Sequence, residues 1–182
     1  MGGRPQNTEH SRRSIRLQGY NYSQVGAYFV TVCVQHRECL FGKIVDDEMR
    51  LNDAGQMVER WWVELGNKFP SVKTDEFVVM PNHFHGIIRI VGADLRVCAD
   101  TTGAHIGAPL PEIVQWFKTM TTNEYICGIK SLGWIPFNTR LWQRNYYERI
   151  IRNEWELHRI RQYIADNPAQ WMHDRENPRI AM

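Results

Sequence analysis

The spacing of apolar and polar residues changes along the chain between the period of a strand and that of a helix. Strands are predicted where β-branched and aromatic residues form short runs bounded by turn residues. Three runs have this character and a fourth, the last, alternates less regularly; they span 27–36 (AYFVTVCVQH), 74–81 (TDEFVVMP), 83–91 (HFHGIIRIV) and 141–151 (LWQRNYYERII). Residues 40–52 (LFGKIVDDEMRLN) predict a short hairpin that turns at Asp46-Asp47.

Three longer stretches repeat their apolar residues every three or four positions, which is the period of a helix with one buried face. They span 52–69, 111–129 and 153–168, and the helix in the first stretch is predicted to stop near Gly66. Asn52 or Asp53 is the predicted cap of the first helix. Pro111 is predicted in the first turn of the second helix, where backbone N–H groups form no hydrogen bond within the helix, so that proline, which lacks an N–H, is tolerated. In the third, Asn153 is the predicted cap and Glu156 follows three residues later, which is the spacing of a capping box.

The order strand, helix, strand, strand, helix, strand, helix predicts an α+β fold. Its first six elements match the ferredoxin-like βαββαβ plan, an antiparallel sheet with helices on one face. An additional C-terminal helix is then available for the other face. We expect a basic N-terminal arm at 1–25, a single domain at 26–176 with a mobile loop at 91–111, and a tail at 177–182.

The composition argues against several other classes of protein. No run of 18 apolar residues is present, so we expect no membrane span, and residues 1–20 lack the apolar core of a secretory signal. The four cysteines (Cys33, Cys39, Cys98 and Cys127) include no Cys-x-x-Cys pair, which argues against a zinc ribbon or a dithiol redox motif. We therefore expect a cytoplasmic protein with free thiols.

The formal net charge of +2 conceals two basic segments. Residues 1–20 carry four arginines against one glutamate, and residues 140–161 carry six arginines against three glutamates. An acidic stretch, 46–64, lies between them. Such segments favour a local surface for a polyanion such as nucleic acid. Solvated helix faces explain the same charges equally well, so charge alone does not decide.

Two histidines, His83 and His85, lie at the start of a predicted strand with one residue, Phe84, between them. Side chains two apart on a strand point to the same face, so both imidazoles project together while Phe84 points to the opposite face. Each neutral imidazole offers a nitrogen lone pair, and two adjacent rings suit one metal ion. Because His-x-His pairs are common by chance, the alternative is a polar strand end that is bonded to backbone or solvent.

A metal site needs more than two ligands, and the chain contains no His-Glu-x-x-His motif and no second His-x-His pair. The last predicted helix offers Tyr163 and Asn167, which are four residues apart and therefore neighbours on one helical face. A tyrosine beside a metal is a candidate nucleophile, because nearby positive charge is needed to lower the pKa of its phenol. The alternative for Tyr163 is an ordinary half-buried core tyrosine.

Two separate motifs, MPNHFHG (80–86) and LWQRNYYERIIRNEWELHRIRQYIADNP (141–168), resemble those of the REP-associated tyrosine transposases. These are relatives of the single-tyrosine insertion-sequence transposases in the HUH (His-hydrophobe-His) endonuclease superfamily. The segment RRSIRLQGYNYSQVGAYFVTVCVQHRECLFG (12–42) is similar to one branch of that family. The resemblance runs from about Ser14 to Trp171, which is nearly the whole chain.

The resemblance implies roles for particular residues. His83 and His85 would bind the metal, Tyr163 would be the nucleophile, and Asn167 would be a third ligand. The residues implied to meet DNA are arginines for the phosphates and aromatic residues for unpaired bases: Arg12, Arg13, Arg16, Arg144, Arg149 and Arg152, with Trp142, Tyr146 and Tyr147. Tyr146 and Tyr147 are rivals as nucleophile by composition, and a core position is the alternative for all three aromatic residues.

The resemblance also implies a reaction. The protein would be a metal-dependent single-stranded DNA endonuclease and strand transferase that acts on hairpin (palindromic repeat) DNA. It would use one divalent cation, Mg²⁺ or Mn²⁺, and a 5′-phosphotyrosine intermediate that allows rejoining without ATP. We then expect a nucleoid-associated monomer or homodimer without membrane contact. The alternatives are a non-catalytic nucleic-acid-binding protein on a ferredoxin-like sheet and a metal-dependent phosphoesterase that uses water. The absence of a carboxylate beside the histidine pair in the sequence argues against the phosphoesterase.

Overall fold

The computed structural model describes residues 24–91 and 108–178. The predicted basic arm with Arg12, Arg13 and Arg16 therefore lies outside the described residues, as does most of the loop predicted at 91–111. The last two residues of that loop, 110 and 111, belong to a helix instead.

Four strands form an antiparallel sheet in the order β4-β5-β1-β6, and the other two form a separate hairpin. The strands are β1 Gly26–Cys33, β2 Gly42–Val45, β3 Glu48–Leu51, β4 Val72–Val79, β5 His83–Ile90 and β6 Tyr147–Ile151. The helices are α1 Asp53–Val63, α2 Leu65–Lys68, α3 Leu110–Leu132 and α4 Glu154–Asp166. This order and the C-terminal helix confirm the predicted α+β, ferredoxin-like plan.

The two faces of the sheet bury different sets of apolar side chains. On one face, Phe84 and Ile88 of β5 pack with Trp62 of α1 and Phe117 of α3 in the larger core. On the other face, a smaller core contains Phe29, Ile87 and Ile151 with Leu157, Ile160 and Ile164 of α4. The strand alternation that places Phe84 in the larger core also directs His83 and His85 to the face covered by α4.

The helix caps agree with the sequence prediction in detail. The Asn52 side chain accepts a hydrogen bond from the Gly55 N–H at 2.9 Å, and Asn153 accepts one from Glu156 at 2.8 Å. The Glu156 carboxylate reaches back to the Arg152 N–H at 2.9 Å, one residue earlier than in the usual capping box. The helix predicted to stop near Gly66 is too long, because α1 ends at Val63 and a separate short helix, α2, follows.

The predicted strand 141–151 is also too long, since only its second half, β6, joins the sheet. Leu141 and Trp142 instead point into the larger core, where the Trp142 indole donates a hydrogen bond to the Thr121 hydroxyl at 2.8 Å. The buried Lys118 ammonium donates to the carbonyl oxygens of Gln143 and Arg144 at 2.7 and 3.0 Å. These bonds hold the segment against α3 before the chain enters the sheet.

Across the described ranges, no helix combines the length and the apolar character needed to cross a membrane.

Candidate active site

His83 and His85 lie at the start of β5, opposite Cys33 and Thr31 of β1. Both side chains are buried. Their ring centroids are 4.5 Å apart, and the two Nε2 atoms approach to 3.0 Å. The strand geometry therefore brings one nitrogen from each ring to the same point beneath α4.

The neighbours of the histidines fix which nitrogen is available. The Asn82 amide nitrogen donates to the carbonyl oxygens of Arg37 and Glu176 at 3.0 and 2.6 Å, so its Oδ1 faces His83. That oxygen can only accept, and the His83 Nδ1–H donates to it at 2.9 Å. His83 Nε2 therefore keeps its lone pair, which points towards His85 Nε2. The Thr31 hydroxyl, 2.8 Å from His85 Nδ1, is placed to orient the second ring in the same way.

Both imidazoles are held in the neutral form that a metal requires. Burial lowers the pKa of His83, although the Asp174 and Glu176 carboxylates oppose this effect. Burial lowers the pKa of His85 further below its ordinary value, and a charge on His83 would act in the same direction.

Two further side chains with oxygen atoms, those of Asp174 and Asn167, lie near the histidine pair. Asp174 Oδ2 lies 3.7 Å from His83 Nε2, and ligand atoms of His83, His85 and Asp174 all lie within 4.8 Å of one another. Asn167, predicted as the third ligand, is buried, and its Oδ1 has no hydrogen-bond partner. A buried amide oxygen without a donor is costly in a folded protein unless something else satisfies it.

These groups fit a divalent cation. Two nitrogens bound to one ion at about 2.1 Å and at a right angle lie about 3.0 Å apart, which matches the separation of the two Nε2 atoms. Two lone pairs at this distance repel each other unless a cation or a proton lies between them. The unpaired Asn167 oxygen and the Asp174 carboxylate would complete the set with the hard ligands that Mg²⁺ and Mn²⁺ prefer.

The sequence did not indicate Asp174. It lies seven residues beyond Asn167, after Pro168 and a 3-10 turn at Trp171–His173, in a segment without periodicity. The sequence has no carboxylate next to the histidine pair, but the folded chain brings the Asp174 carboxylate to it. The expectation that a missing carboxylate disfavours a phosphoesterase is therefore wrong. The two acidic residues within 174–176 were the one hint in the sequence, and they did not indicate that this segment lies beside the histidines.

The Tyr163 side chain meets this cluster from α4. Its hydroxyl lies 3.4 Å from His85 Nε2, and its ring packs edge-on against Phe29. Burial and the Asp174 carboxylate raise the pKa of the phenol, while the Asn167 amide opposes the rise. The phenol is therefore protonated in the protein alone and needs added positive charge to ionise.

The position of α4 is set by ion pairs at both sides of the helix. Arg161 donates two hydrogen bonds to the Asp75 carboxylate on β4, at 2.8 and 2.7 Å. Glu156 forms an ion pair with Arg149 of β6. Because Arg161 lies two residues before Tyr163, its bonds to β4 fix the rotation of the helix that carries the tyrosine.

An open cleft of about 940 Å³ leads to Tyr163, His85 and Asn167. Its walls include four arginines and two acidic residues: Arg37, Arg149, Arg159 and Arg175, with Asp174 and Glu176. Cys33 also lines the cleft, but burial and Glu176 raise the pKa of its thiol to about 12, so Cys33 is not a competing nucleophile.

The residues predicted to contact DNA do not share one environment. Tyr146, Tyr147 and Arg149 line the cleft, while Arg144 and Arg152 are exposed outside its walls. The stacking role predicted for Trp142 is wrong, because the indole lies inside the larger core and no base can reach it. The first part of the segment 141–151 is buried in the larger core and the last part is strand β6, so its aromatic residues lie in different environments.

Comparison with known proteins gives first the class of fold and then the family. The chain shares its fold with a REP-associated tyrosine transposase whose structure was solved bound to a REP hairpin, with a TM-score of 0.55 and 19% identity over 85% of this chain and 73% of that one. No model of a known protein family matches the chain. An uncharacterized protein of Haemophilus influenzae is 40% identical over 170 residues, which cover 91% of this chain and 92% of that protein. The chain belongs to the same family as the Haemophilus influenzae protein.

Proposed function

We propose that this protein is a metal-dependent enzyme that cuts and rejoins single-stranded or hairpin DNA through Tyr163. The observation that carries the proposal is the meeting of the Tyr163 hydroxyl with the His83 and His85 lone pairs at the end of an open cleft. The fold shared with a REP-associated tyrosine transposase supports the substrate class, since that protein was solved with a REP hairpin.

His83 and His85, with Asn167 and Asp174, would hold one divalent cation, Mg²⁺ or Mn²⁺. Such an ion supplies positive charge that polarises a phosphate oxygen and lowers the pKa of a neighbouring phenol. Imidazole ligands favour Mn²⁺ over Mg²⁺. Asn82 and Thr31 keep the two rings oriented, as the partners of histidine ligands do in metal proteins.

Tyr163 would attack the scissile phosphorus with its phenolic oxygen. The phenol loses its proton as a new bond forms between its oxygen and phosphorus, the bond from phosphorus to the 3′ oxygen breaks, and the leaving 3′ oxygen takes up a proton in exchange through solvent to become a 3′-OH. The 5′-phosphotyrosine link is itself a phosphodiester, so the energy of the broken DNA bond is conserved in it. A 3′-OH can therefore attack this link and rejoin the strand without ATP.

The walls of the cleft suit a single strand. Arg149 is placed to meet phosphates, and Tyr146 and Tyr147 offer rings for unpaired bases. Arg144 and Arg152, with Arg12, Arg13 and Arg16 of the N-terminal segment, would extend the contact with the backbone of the DNA. Because the Tyr163 hydroxyl lies 3.4 Å from His85 of its own chain, we propose that one chain supplies a whole site, in a monomer or in each half of a homodimer. With a DNA substrate, we propose that the protein acts in the cytoplasm in association with the nucleoid.

The test is the formation of a covalent adduct. Labelled hairpin oligonucleotides with single-stranded extensions are incubated with the protein and Mn²⁺, and denaturing electrophoresis then separates protein-bound label. Tyr163→Phe should abolish the adduct while binding is retained. Tyr147→Phe is the matched control, because Tyr147 lines the same cleft and is 47% exposed against 43% for Tyr163. An adduct that survives Tyr163→Phe and disappears with Tyr147→Phe would reverse the assignment.

One observation favours a second function, a metal-dependent phosphoesterase in which water is the nucleophile. Asp174 supplies the carboxylate that such an enzyme needs beside its metal. Cleavage that leaves no protein-bound label and that persists in Tyr163→Phe would support this function. A non-catalytic nucleic-acid-binding protein would cleave nothing and would bind DNA equally well after His83 and His85 are replaced by alanine.

A further inference from the structure

A stripe of side chains on α4 continues away from Tyr163 towards the N-terminus of the helix. Trp155, Arg159 and Tyr163 are four residues apart in succession, so they lie on adjacent turns of nearly the same face. The Arg159 guanidinium lies 5.0 Å from the centre of the Trp155 ring. Arg159 and Tyr163 both line the cleft, and Trp155 is 68% exposed beside them.

We infer that Trp155 and Arg159 form a subsite for one unpaired nucleotide of the DNA strand, at the outer edge of the cleft that would hold the scissile phosphate. This inference rests on the proposed function. The indole offers a flat surface on which any base can stack, and the guanidinium beside it offers a charge for the adjoining phosphate.

The surroundings of Trp155 favour DNA over a protein partner. Its neighbours on the solvent side of α4, Glu154, His158 and Gln162, are polar and exposed. Within the described part of the chain, α4 therefore surrounds the indole with polar side chains and not with the continuous apolar patch that a protein interface uses. The subsite is continuous with the cleft through Arg159, and the charged residues of the cleft wall are mainly arginines. A polyanion that enters the cleft therefore passes the indole.

The distance between Trp155 and Tyr163 along α4 indicates which part of the DNA is bound. Trp155 lies eight positions before Tyr163 in the helix, which corresponds to about 12 Å along the axis. The nucleotide on Trp155 therefore lies beyond the scissile phosphate, and because only an unpaired base can stack on the indole, it belongs to the single-stranded extension and not to the paired stem.

The experiment measures binding without cleavage. The full chain in EDTA is titrated by fluorescence anisotropy against a hairpin without extensions and against the same hairpin with a 5′ or a 3′ single-stranded extension. Trp155→Ala should weaken binding of one extended hairpin by about tenfold, while binding of the hairpin without extensions is unchanged. Trp155→Phe should retain most of the affinity. Arg159→Ala should lower the slope of log affinity against log salt by about 0.7 for the extended hairpin.

Leu132→Ala is the control for loss of an exposed apolar residue, because Leu132 is 67% exposed on α3. The inference is overturned if Trp155→Ala binds all hairpins like the wild type, or if it weakens all of them equally. It is also overturned if the variant changes the mass of the protein in solution, since Trp155 would then be a contact between copies. Adduct formation by the wild type is scored separately: binding of the extension without any adduct would reject the proposed function and leave the subsite standing.

Discussion

At the scale of single residues, Asn82 has the most constrained side chain near the candidate metal site. Its amide nitrogen is bonded to two carbonyl oxygens, so its oxygen has no freedom to rotate away from His83. Asn82→Ala removes the acceptor that keeps the His83 proton on Nδ1. We expect the affinity for Mn²⁺ to fall by about 10–100-fold, as it does when partners of histidine ligands are removed elsewhere. Isothermal titration calorimetry measures this directly.

Asn67→Ala is the control for that measurement, because Asn67 is exposed and its side chain donates a hydrogen bond to the nearby Glu64 side chain, away from the histidines. Unchanged Mn²⁺ affinity in Asn82→Ala would show that the His83 tautomer does not depend on this bond. Thermal unfolding in EDTA distinguishes a loss of metal affinity from a loss of the fold.

The sequence predicted the residues that local geometry determines and missed those brought in by distant parts of the chain. Strand alternation alone placed His83 and His85 on one face, and helical spacing alone made Tyr163 and Asn167 neighbours. Asp174 arrives only because the chain turns back after Pro168. Trp142 looked like a strand residue because its neighbours are aromatic and β-branched, yet its hydrogen bond to Thr121 and its burial belong to the core.

At the scale of elements, α4 depends on the Asp75–Arg161 pair for its position on the sheet. The hydrogen bonds from Arg161 hold the pKa of Asp75 below its ordinary value, although partial burial opposes them. A carboxylate with a lowered pKa contributes stability above its unfolded pKa of 3.8, and this contribution is lost as the pH falls through the folded value. We expect Arg161→Ala to cost about 1–2 kcal/mol at pH 7.

The check is urea unfolding of wild type and Arg161→Ala between pH 7 and pH 3. The difference in free energy of unfolding should narrow as Asp75 takes up a proton. Arg159→Ala, on the same helix with its guanidinium over Trp155, should show a smaller difference that does not depend on Asp75. A difference between wild type and Arg161→Ala that stays constant with pH would mean that the pair does not fix α4.

The elements themselves were predictable where one period dominates a stretch. The hairpin turn at Asp46 and Asp47 is an example, since both residues adopt positive φ, which aspartate accepts more readily than most residues. The predicted ends were less accurate. α1 ends at Val63 although the apolar spacing continues to Leu65, because Leu65 packs into the core from the separate helix α2.

At the scale of the whole molecule, the two faces of the sheet have different tasks. The larger core beneath α1 and α3 contains the aromatic residues that hold the fold, while the face beneath α4 combines a smaller core with the candidate active site. The candidate ligands come from β5, from the end of α4 at Asn167, and from the segment that carries Asp174. A bound cation would therefore join three parts of the chain that are distant in sequence.

Metal binding should consequently stabilise the entire fold. A ligand that binds only the folded state at about one hundred times its dissociation constant adds about 2.7 kcal/mol. For a protein of this length, that gain raises Tm by roughly 5–10 °C. We expect such a shift when Mn²⁺ replaces EDTA in differential scanning calorimetry, and a smaller shift with Mg²⁺, because imidazole ligands favour Mn²⁺. His85→Ala should abolish the shift, whereas His158→Ala, on the exposed side of α4, should retain it. If Mn²⁺ raises the Tm of His85→Ala as much as that of the wild type, the ion binds elsewhere, and Tyr163 would have no cation beside it to lower its pKa.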